Sequence, residues 1–361
     1  MVNNMNILYH GRFQPPHRGH IEVIRHFLKK YSKSNLIISL DTRKKDLNNP
    51  FSYDFRKKIF LDNLKDFEDR ITITKHKCIK PTFQGCLSPT YENAKQFGKI
   101  DLVIGGPELP KEVKEFWKTK GIKTEIVNKR FFDISGTEIK KVHNSKNLGF
   151  SIITAFGCKY NHGYCVWKRF HKLNNLKTTY ENTNWIKLEE LIHWYSGNKI
   201  NVSGGLDPLY NFTKNKNWWK KLFEICKKYN KLVDVHTREF IFDKYFLENI
   251  KKIVFSFDNL EEVRHEIVKY PKNVKIRLVK IITQETSFEE LKEIIEFCKK
   301  NNFEITFKEI YGFDDKGNFN RLKNKLSKIY NFKKDKIVFL KHRDYNLYFM
   351  PDNKVYTKFL I

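Results

Sequence analysis

The sequence predicts two consecutive α/β domains, an open parallel sheet with helices on both faces followed by a partial (β/α)6 barrel. Three observations carry this expectation. Strand-length apolar runs alternate with stretches of helical period through the first 143 residues; the alternation resumes, more regularly, at residue 151; and the connection at 143–149 is short and polar. The boundary falls at 148, giving domains 1–148 and 149–361, each long enough to bury a core of its own.

In the first domain, strands are expected at 5–9, 36–40, 71–75, 101–105 and 123–127, and helices near 20–31, 52–65, 110–120 and 135–143. The first helix is the clearest, because Ile21, Val23, Ile24, Phe27 and Leu28 recur at its period. Ligands of such a sheet belong at the carboxyl ends of its strands. In the second domain, strands are expected at 151–156, 200–203, 232–236, 253–257, 274–281 and 304–310, with helices near 186–196, 216–230, 243–251, 260–269 and 287–301. A helix at 318–331 and short strands near 337–341, 345–350 and 354–359 follow. Trp218, Trp219, Leu222, Phe223 and Cys226 make an apolar helix face that belongs to the core. Six βα units suit a partial barrel, whose functional residues lie at the carboxyl ends of the strands.

The stretch Gly11-Arg12-Phe13-Gln14-Pro15-Pro16-His17-Arg18-Gly19-His20 joins the first strand to the first helix. A turn there aims backbone N–H groups and the positive helix end at one point, which suits a phosphate. Gly19 lets both histidines face that point. As donors, the imidazoles can stabilise the charge that develops on a phosphoryl group under attack. Downstream, Ile134-Ser135-Gly136-Thr137-Glu138-Ile139-Lys140 presents N–H groups and two hydroxyls, with a cation one helical turn later. Chemically this is a clamp for the outer phosphates of a triphosphate, although Ser135 with Glu138 also reads as a plain capping box. Asn49-Pro50-Phe51-Ser52 opens a further helix, capped by Ser52 and carrying Arg56.

These three stretches resemble the HxGH nucleotidyltransferases, most closely the nicotinamide mononucleotide (NMN) adenylyltransferases: the first matches the GRFQPxHxGH signature, the second the ISGTxIR element, the third the Asn-Pro-Phe segment with its arginine. The resemblance covers residues 5 to about 143. It implies a Rossmann-like domain in which His17 and His20 are catalytic, while Gly11, Arg12, Phe13, Arg56, Ser135, Gly136, Thr137 and Lys140 bind the nucleotide. It also implies ATP as donor, with Mg²⁺ sharing the phosphate charge. The acceptor is expected to be NMN or a similar phosphorylated small molecule, whose phosphate attacks the α-phosphorus and releases pyrophosphate. Two departures bear on that acceptor. Lys140 stands where the family has an arginine, so a bidentate fork becomes a point charge. Gly105-Gly106-Pro107 stands where a base-recognition loop is expected.

In the second domain, the first strand ends in Cys158-Lys159-Tyr160-Asn161-His162-Gly163-Tyr164-Cys165, two thiols with an imidazole between them at metal-ligand spacing. The second strand ends in Ser203-Gly204-Gly205-Leu206-Asp207-Pro208-Leu209, whose paired glycines let backbone approach a ligand. Together these resemble the radical S-adenosylmethionine (SAM) enzymes, with their CxxxCxxC loop for a [4Fe–4S] cluster and Gly-Gly-Glu-Pro stretch for SAM. The resemblance implies Cys158, His162 and Cys165 as metal ligands and Tyr164, Ser203, Gly204, Gly205 and Asp207 as SAM contacts. His162 occupies the middle cysteine's position and Asp207 replaces the glutamate. A histidine can ligate iron. The same ligands also suit zinc, with His171 or His236 as the fourth, and a barrel without cofactor is the remaining reading. His236-Thr237-Arg238 and Ser256-Phe257-Asp258 end the third and fourth strands facing the cofactor mouth.

Composition narrows the setting. Six cysteines without regular pairing, no apolar run long enough for a bilayer and no signal-peptide pattern point to a cytoplasmic protein with no membrane partner. The net charge of +28 admits nucleic acid as a partner. The lysines are nevertheless spread along both halves beside Asn, Ile and Phe, a mixture that AT-rich codon usage produces, so a solvated basic surface is the favoured reading. The field also suits a phosphate-rich small substrate. The expectation is a bifunctional enzyme, an adenylyltransferase fused to a variant radical SAM domain. Its alternatives are an adenylyltransferase carrying a non-catalytic or zinc-binding barrel, or a nucleic-acid-modifying enzyme. The oligomeric state is not readable from these residues.

Overall fold

The computed structural model describes residues 5–43, 46, 49–79, 82–107, 109–127, 131–145, 148–155, 179–309, 317–340 and 346–357. It divides into two units, Met1–Asn144 and Ser145–Ile361.

The strands of the first unit are β1 (Asn6–Gly11), β2 (Asn35–Asp41), β3 (Ile71–His76), β4 (Leu102–Gly105) and β5 (Lys123–Ile126). They form one parallel sheet in the order β3-β2-β1-β4-β5. The chain winds outward from β1 to one edge, then returns to lay β4 on the other side, so the strand order reverses between β1 and β4. Clefts for ligands open at that reversal. α1 (Arg18–Lys30) buries Ile21, Val23, Ile24, Phe27 and Leu28 against the sheet, the residues that its period singles out. α2 (Tyr53–Asn63) is capped by Ser52, whose hydroxyl accepts from the Phe55 N–H.

One helix of this unit departs from expectation. α3 (Phe83–Ala94) contains Gly85 and Pro89, both unfavourable inside helices, and no helix is expected there from sequence. Pro89 cannot donate to the Gly85 carbonyl, and the Ile79 N–H takes that acceptor instead at 2.9 Å. Thr82 caps the start, and Leu87 and Ala94 pack with Ile100, Val113 and Trp117. Tertiary burial therefore outweighs propensity. α4 (Lys111–Thr119) and α5 (Gly136–Asn144) complete the unit. Cys78 and Cys86 are joined in a disulfide, where the sequence suggests no pairing.

The second unit forms a single open sheet in the order β12-β11-β10-β9-β8-β7-β6-β13-β14. Its strands are β6 (Gly149–Ala155), β7 (Lys199–Gly205), β8 (Leu232–Thr237), β9 (Lys252–Phe257), β10 (Lys275–Ile282), β11 (Glu304–Glu309), β12 (Ile337–Leu340), β13 (Asn346–Phe349) and β14 (Val355–Tyr356). From β6 to β12 they are parallel and follow the chain, the arrangement of a partial (β/α)6 barrel with one further strand at its edge. β13 joins parallel beside β6, and β14 returns antiparallel over a shorter span than expected. Between them lie α6 (Trp185–Trp194), α7 (Phe212–Lys228), α8 (Lys244–Asn249), α9 (Glu261–Ile267), α10 (Phe288–Lys300) and α11 (Asn318–Ser327). Trp218, Trp219, Leu222, Phe223 and Cys226 on α7 are buried, as core residues. No helix among the described residues is long and apolar enough to cross a membrane.

Candidate active site

A cleft of about 420 Å³ opens where the strand order of the first sheet reverses. One wall is the end of β1 and the turn after it, Tyr9 to Gln14, and the other is Ile104 to Pro107 after β4. The head of α1 supplies His17, Gly19 and His20, and the head of α5 supplies Ser135, Gly136, Thr137 and Lys140. Of the expected first-domain site residues, His17, His20, Gly11, Arg12, Phe13, Ser135, Gly136, Thr137 and Lys140 share this cleft. Gly105, Gly106 and Pro107 line it too. Its volume lies in the range that holds small cofactors.

The two imidazoles lie 3.8 Å apart, ring centre to ring centre. The His17 backbone N–H donates to His20 Nδ1 at 3.2 Å, so that nitrogen is the acceptor and Nε2 carries the proton of the neutral ring. Phe13 meets His20 edge-on at 5.0 Å and fixes its plane. His17 Nδ1 is buried without a partner among the described residues. Burial lowers the His17 pKa to about 4, and burial, then the neighbouring His17, holds that of His20 well below its ordinary value. At neutral pH both rings are therefore uncharged donors beside the positive end of α1. Gly19 is required for this packing, because a Cβ there would stand 3.0 Å from His17 Cε1 and 3.1 Å from its Nδ1.

Across the cleft, Ser135 caps α5: its hydroxyl accepts from the Glu138 N–H at 3.2 Å and donates to the Glu138 carboxylate at 3.2 Å. The hydroxyl is thus engaged within the helix start, and the remaining donors toward the cleft are the exposed Thr137 and the Lys140 ammonium. Burial, then the nearby Arg12, lowers the Lys140 pKa. A Cβ on Gly136 would stand 3.3 Å from the Gln14 carbonyl oxygen, so glycine lets the head of α5 close on the histidine turn. Among the described cleft-lining residues there is no carboxylate.

Arg56 lies elsewhere. It is 1% exposed, and its guanidinium donates to the carbonyls of Ser52, Arg12 and Asp41. It holds the ends of β1 and β2 together and takes no place in the cleft lining, in contrast to the expected nucleotide contact. Phe51 supports the same wall, since Gln14 exchanges two hydrogen bonds with its backbone at 3.2 Å and 3.1 Å, while Asn49 bonds Asp46. Sequence reasoning missed His10, Phe131 and Phe132, which also line the cleft. His10 accepts from Trp117 Nε1 at 3.2 Å, and burial lowers its pKa to about 3. Its place at the end of the first strand was the available signal.

In the second unit, Cys158, His162, Tyr164, Cys165 and His171 lie outside the described residues. The chain leaves β6 at Ala155, which pairs with Gly205 and whose carbonyl accepts from the Leu206 N–H at 2.8 Å. Ala155, the last described residue before the expected metal ligands, thus lies beside the Ser203–Asp207 turn. Gly205 has φ +68°, a conformation that favours glycine. Asp207 is buried, and its carboxylate accepts from the Leu209 N–H at 2.9 Å, the Thr237 hydroxyl at 2.7 Å and the Arg238 N–H at 2.5 Å. It joins the ends of β7 and β8, while Arg238 pairs with Asp258 and Glu262.

Residues 8–142 match the family described as Cytidylyltransferase-like. No curated protein matches the chain. Among solved structures it is similar to SuiB from Streptococcus suis bound to S-adenosylmethionine, at 15% identity and a TM-score of 0.42 over 61% of this chain and 62% of that one. It is also similar to a bifunctional NMN adenylyltransferase/ADP ribose pyrophosphatase from Francisella tularensis, at 20% identity and a TM-score of 0.33, over 39% of this chain and 42% of that one. A spore photoproduct lyase with bound AdoMet and dinucleoside spore photoproduct shares 13% identity, with a TM-score of 0.31, over 62% and 82%. The chain spans less than two thirds of the length of that SuiB structure. The residues that match the Cytidylyltransferase-like family, 8–142, thus include the histidine turn at the head of α1 and the cleft at the sheet's reversal, and a second unit with the strand order of a partial barrel follows them.

Proposed function

We propose that the first domain transfers an adenylyl group from ATP to NMN or a similar phosphorylated small molecule, and that the second is a variant radical SAM domain. The observation that carries the first part is the paired neutral imidazoles in one cleft with the head of α5. The acceptor's phosphate oxygen attacks the α-phosphorus of ATP, and the bond to the pyrophosphate oxygen breaks. His20 Nε2–H and the His17 ring donate to the equatorial oxygens, where negative charge grows. Thr137, Lys140 and the backbone N–H groups at the start of α5 hold the departing pyrophosphate. Mg²⁺, when bound with ATP, supplies further charge neutralisation. Purified protein given labelled ATP and NMN is expected to release pyrophosphate with formation of the dinucleotide, and lack of turnover with any phosphorylated acceptor or nucleotide would overturn the assignment.

For the second domain, Cys158, His162 and Cys165 would hold the cluster, with SAM at the turn from Ser203 through Gly204 and Gly205. When bound, the cluster supplies the electron that cleaves SAM to a 5′-deoxyadenosyl radical. The pairing of Ala155, three residues before Cys158 in sequence, with Gly205 of that turn supports this reading. Iron and sulfide in anaerobically purified protein, lost in Cys158→Ala, are expected. A second reading, a barrel without cofactor, draws on Asp207, whose carboxylate is occupied within the domain. Protein that takes up neither iron nor zinc after reconstitution would favour it.

A further inference from the structure

Strand register fixes which side chains share a face of the second sheet. Asp234 pairs with Lys252, His236 with Val254, Val254 with Arg277, and Arg277 with Glu304. Because parity alternates along each strand, Thr306 and Lys308 join Glu304, Arg277, Lys252, Asp234 and His236 on one polar face. The opposite face is formed by Val233, Val235, Ile253, Phe255, Ile276, Leu278, Ile305 and Phe307, all buried. Lys280, on that opposite parity, pairs with Glu290 of α10, which confirms where the helices lie.

Charge on the polar face is balanced at one level and unbalanced at the next. Glu304 takes Lys252 at 2.6 Å and Arg277 at 2.5 Å. Asp234 lies within the field of the same two cations. Four residues beyond Glu304, Lys308 makes no hydrogen bond or ion pair among the described residues. Burial, then Arg277, lowers its pKa. Thr306, 3% exposed, has a buried hydroxyl with no partner among the described residues. His236 makes no hydrogen bond among the described residues either, and burial followed by the charge of Lys308 lowers its pKa to about 3.

A half-buried cation with an orphan hydroxyl two residues away on the same strand face suits an anion. Phosphate fits better than carboxylate. It carries more charge for the ammonium, and it has a third acceptor for the imidazole N–H after Lys308 and Thr306 are satisfied. We propose that Lys308 and Thr306, with His236 on the same face of the sheet, bind a phosphate group of the small molecule on which the second domain acts. This rests on the second domain being a catalytic barrel, and it identifies its substrate as phosphorylated.

The test is competitive acylation of the full-length protein with acetic anhydride, mapped by peptide mass spectrometry with and without inorganic phosphate. Lys308 is expected to react faster than the exposed Lys328 at neutral pH, and phosphate is expected to protect it about tenfold. Acetate at equal ionic strength should leave the rate unchanged, and Thr306→Val should remove most of the protection without altering the unprotected rate. Equal protection by acetate would make the site a carboxylate site, and a Lys308 unprotected by phosphate, or unreactive throughout, would overturn the proposal. Iron and sulfide measured on the same preparation separate the two readings. Protection without iron leaves the phosphate site standing while the radical reading falls, and iron without protection does the reverse.

Discussion

In the cleft of the first domain the proposed donors are histidines held neutral by burial, with the cations Arg12 and Lys140 set at its wall. On the polar face of the second domain, charges are paired at the level of Glu304, while Lys308 has no ion-pair partner among the described residues. The contrast distinguishes two ways to meet a phosphate. A group that must respond to charge developing during a reaction works as an aligned donor at a helix start, where it costs little to keep neutral in the resting state. A group that holds a phosphate already charged in the ground state works as a cation kept free of carboxylates. The first arrangement raises turnover and the second raises affinity.

The sharpest way to break that contrast is to remove the donors. His17→Ala and His20→Ala are each expected to lower the rate of nucleotidyl transfer by about 10²- to 10³-fold, the usual cost of one transition-state donor. The Michaelis constant for ATP should change little, and far-ultraviolet circular dichroism should stay as in the wild type. Near-normal turnover in both variants would place the chemistry elsewhere. The Lys308→Met variant should behave oppositely, with unaltered nucleotidyl transfer.

Next in size is the separation of two arginines that the sequence treats alike. Arg56→Met leaves the carbonyls of Ser52, Arg12 and Asp41 without their donor and should cost about 3 kcal/mol of stability. Arg12 is exposed at the cleft, so Arg12→Ala should raise the Michaelis constant for ATP while the melting temperature holds. Denaturant titration beside steady-state kinetics reads both. A stable but inactive Arg56→Met would return that residue to the nucleotide.

What was legible follows the range of the interactions. The turn around His17 and His20, the capped start of α5 and the strands of both sheets are written in local patterns, and the structure keeps them within a few residues. α3 was illegible because its support is tertiary: the carbonyl that Pro89 abandons is met by Ile79, far from any helical pattern. Arg56 follows an Asn-Pro-Phe segment, and nothing local says that three carbonyls from separate segments converge on it. His10 shares the cleft through Trp117, 107 residues away in sequence. The polar face of the second sheet needs the register of four strands at once, so Lys308 and Thr306 could not be separated from other strand residues by their spacing.

A pH series sharpens the comparison further. The His17 pKa falls from an ordinary 6.5 to about 4 on folding. Below 6.5 the unfolded chain binds a proton that the folded one refuses, so the stability that His17 contributes is complete above that pH and is lost as pH falls toward 4. From His17 alone the loss should reach about 2 kcal/mol by pH 5. Denaturant titrations at pH 7 and pH 5 should show it, and His17→Asn should reduce the difference by roughly that amount. An unchanged difference would mean that the ring is solvated, not held neutral by burial.

The smallest expected effect is also the most local. Gly19→Ala would add a Cβ within 3.1 Å of the His17 ring, tighter than an ordinary van der Waals contact, while the helical position itself accepts alanine with a gain in propensity. Stability should therefore move by less than about 1 kcal/mol, the displaced ring offsetting the better helix former. The transfer rate should nevertheless fall about tenfold, because a donor shifted by a few tenths of an ångström no longer points at the oxygen that gains charge. An intact rate would show that the His17 ring has freedom in the cleft, and that His20, fixed by the His17 N–H and by Phe13, carries the alignment alone.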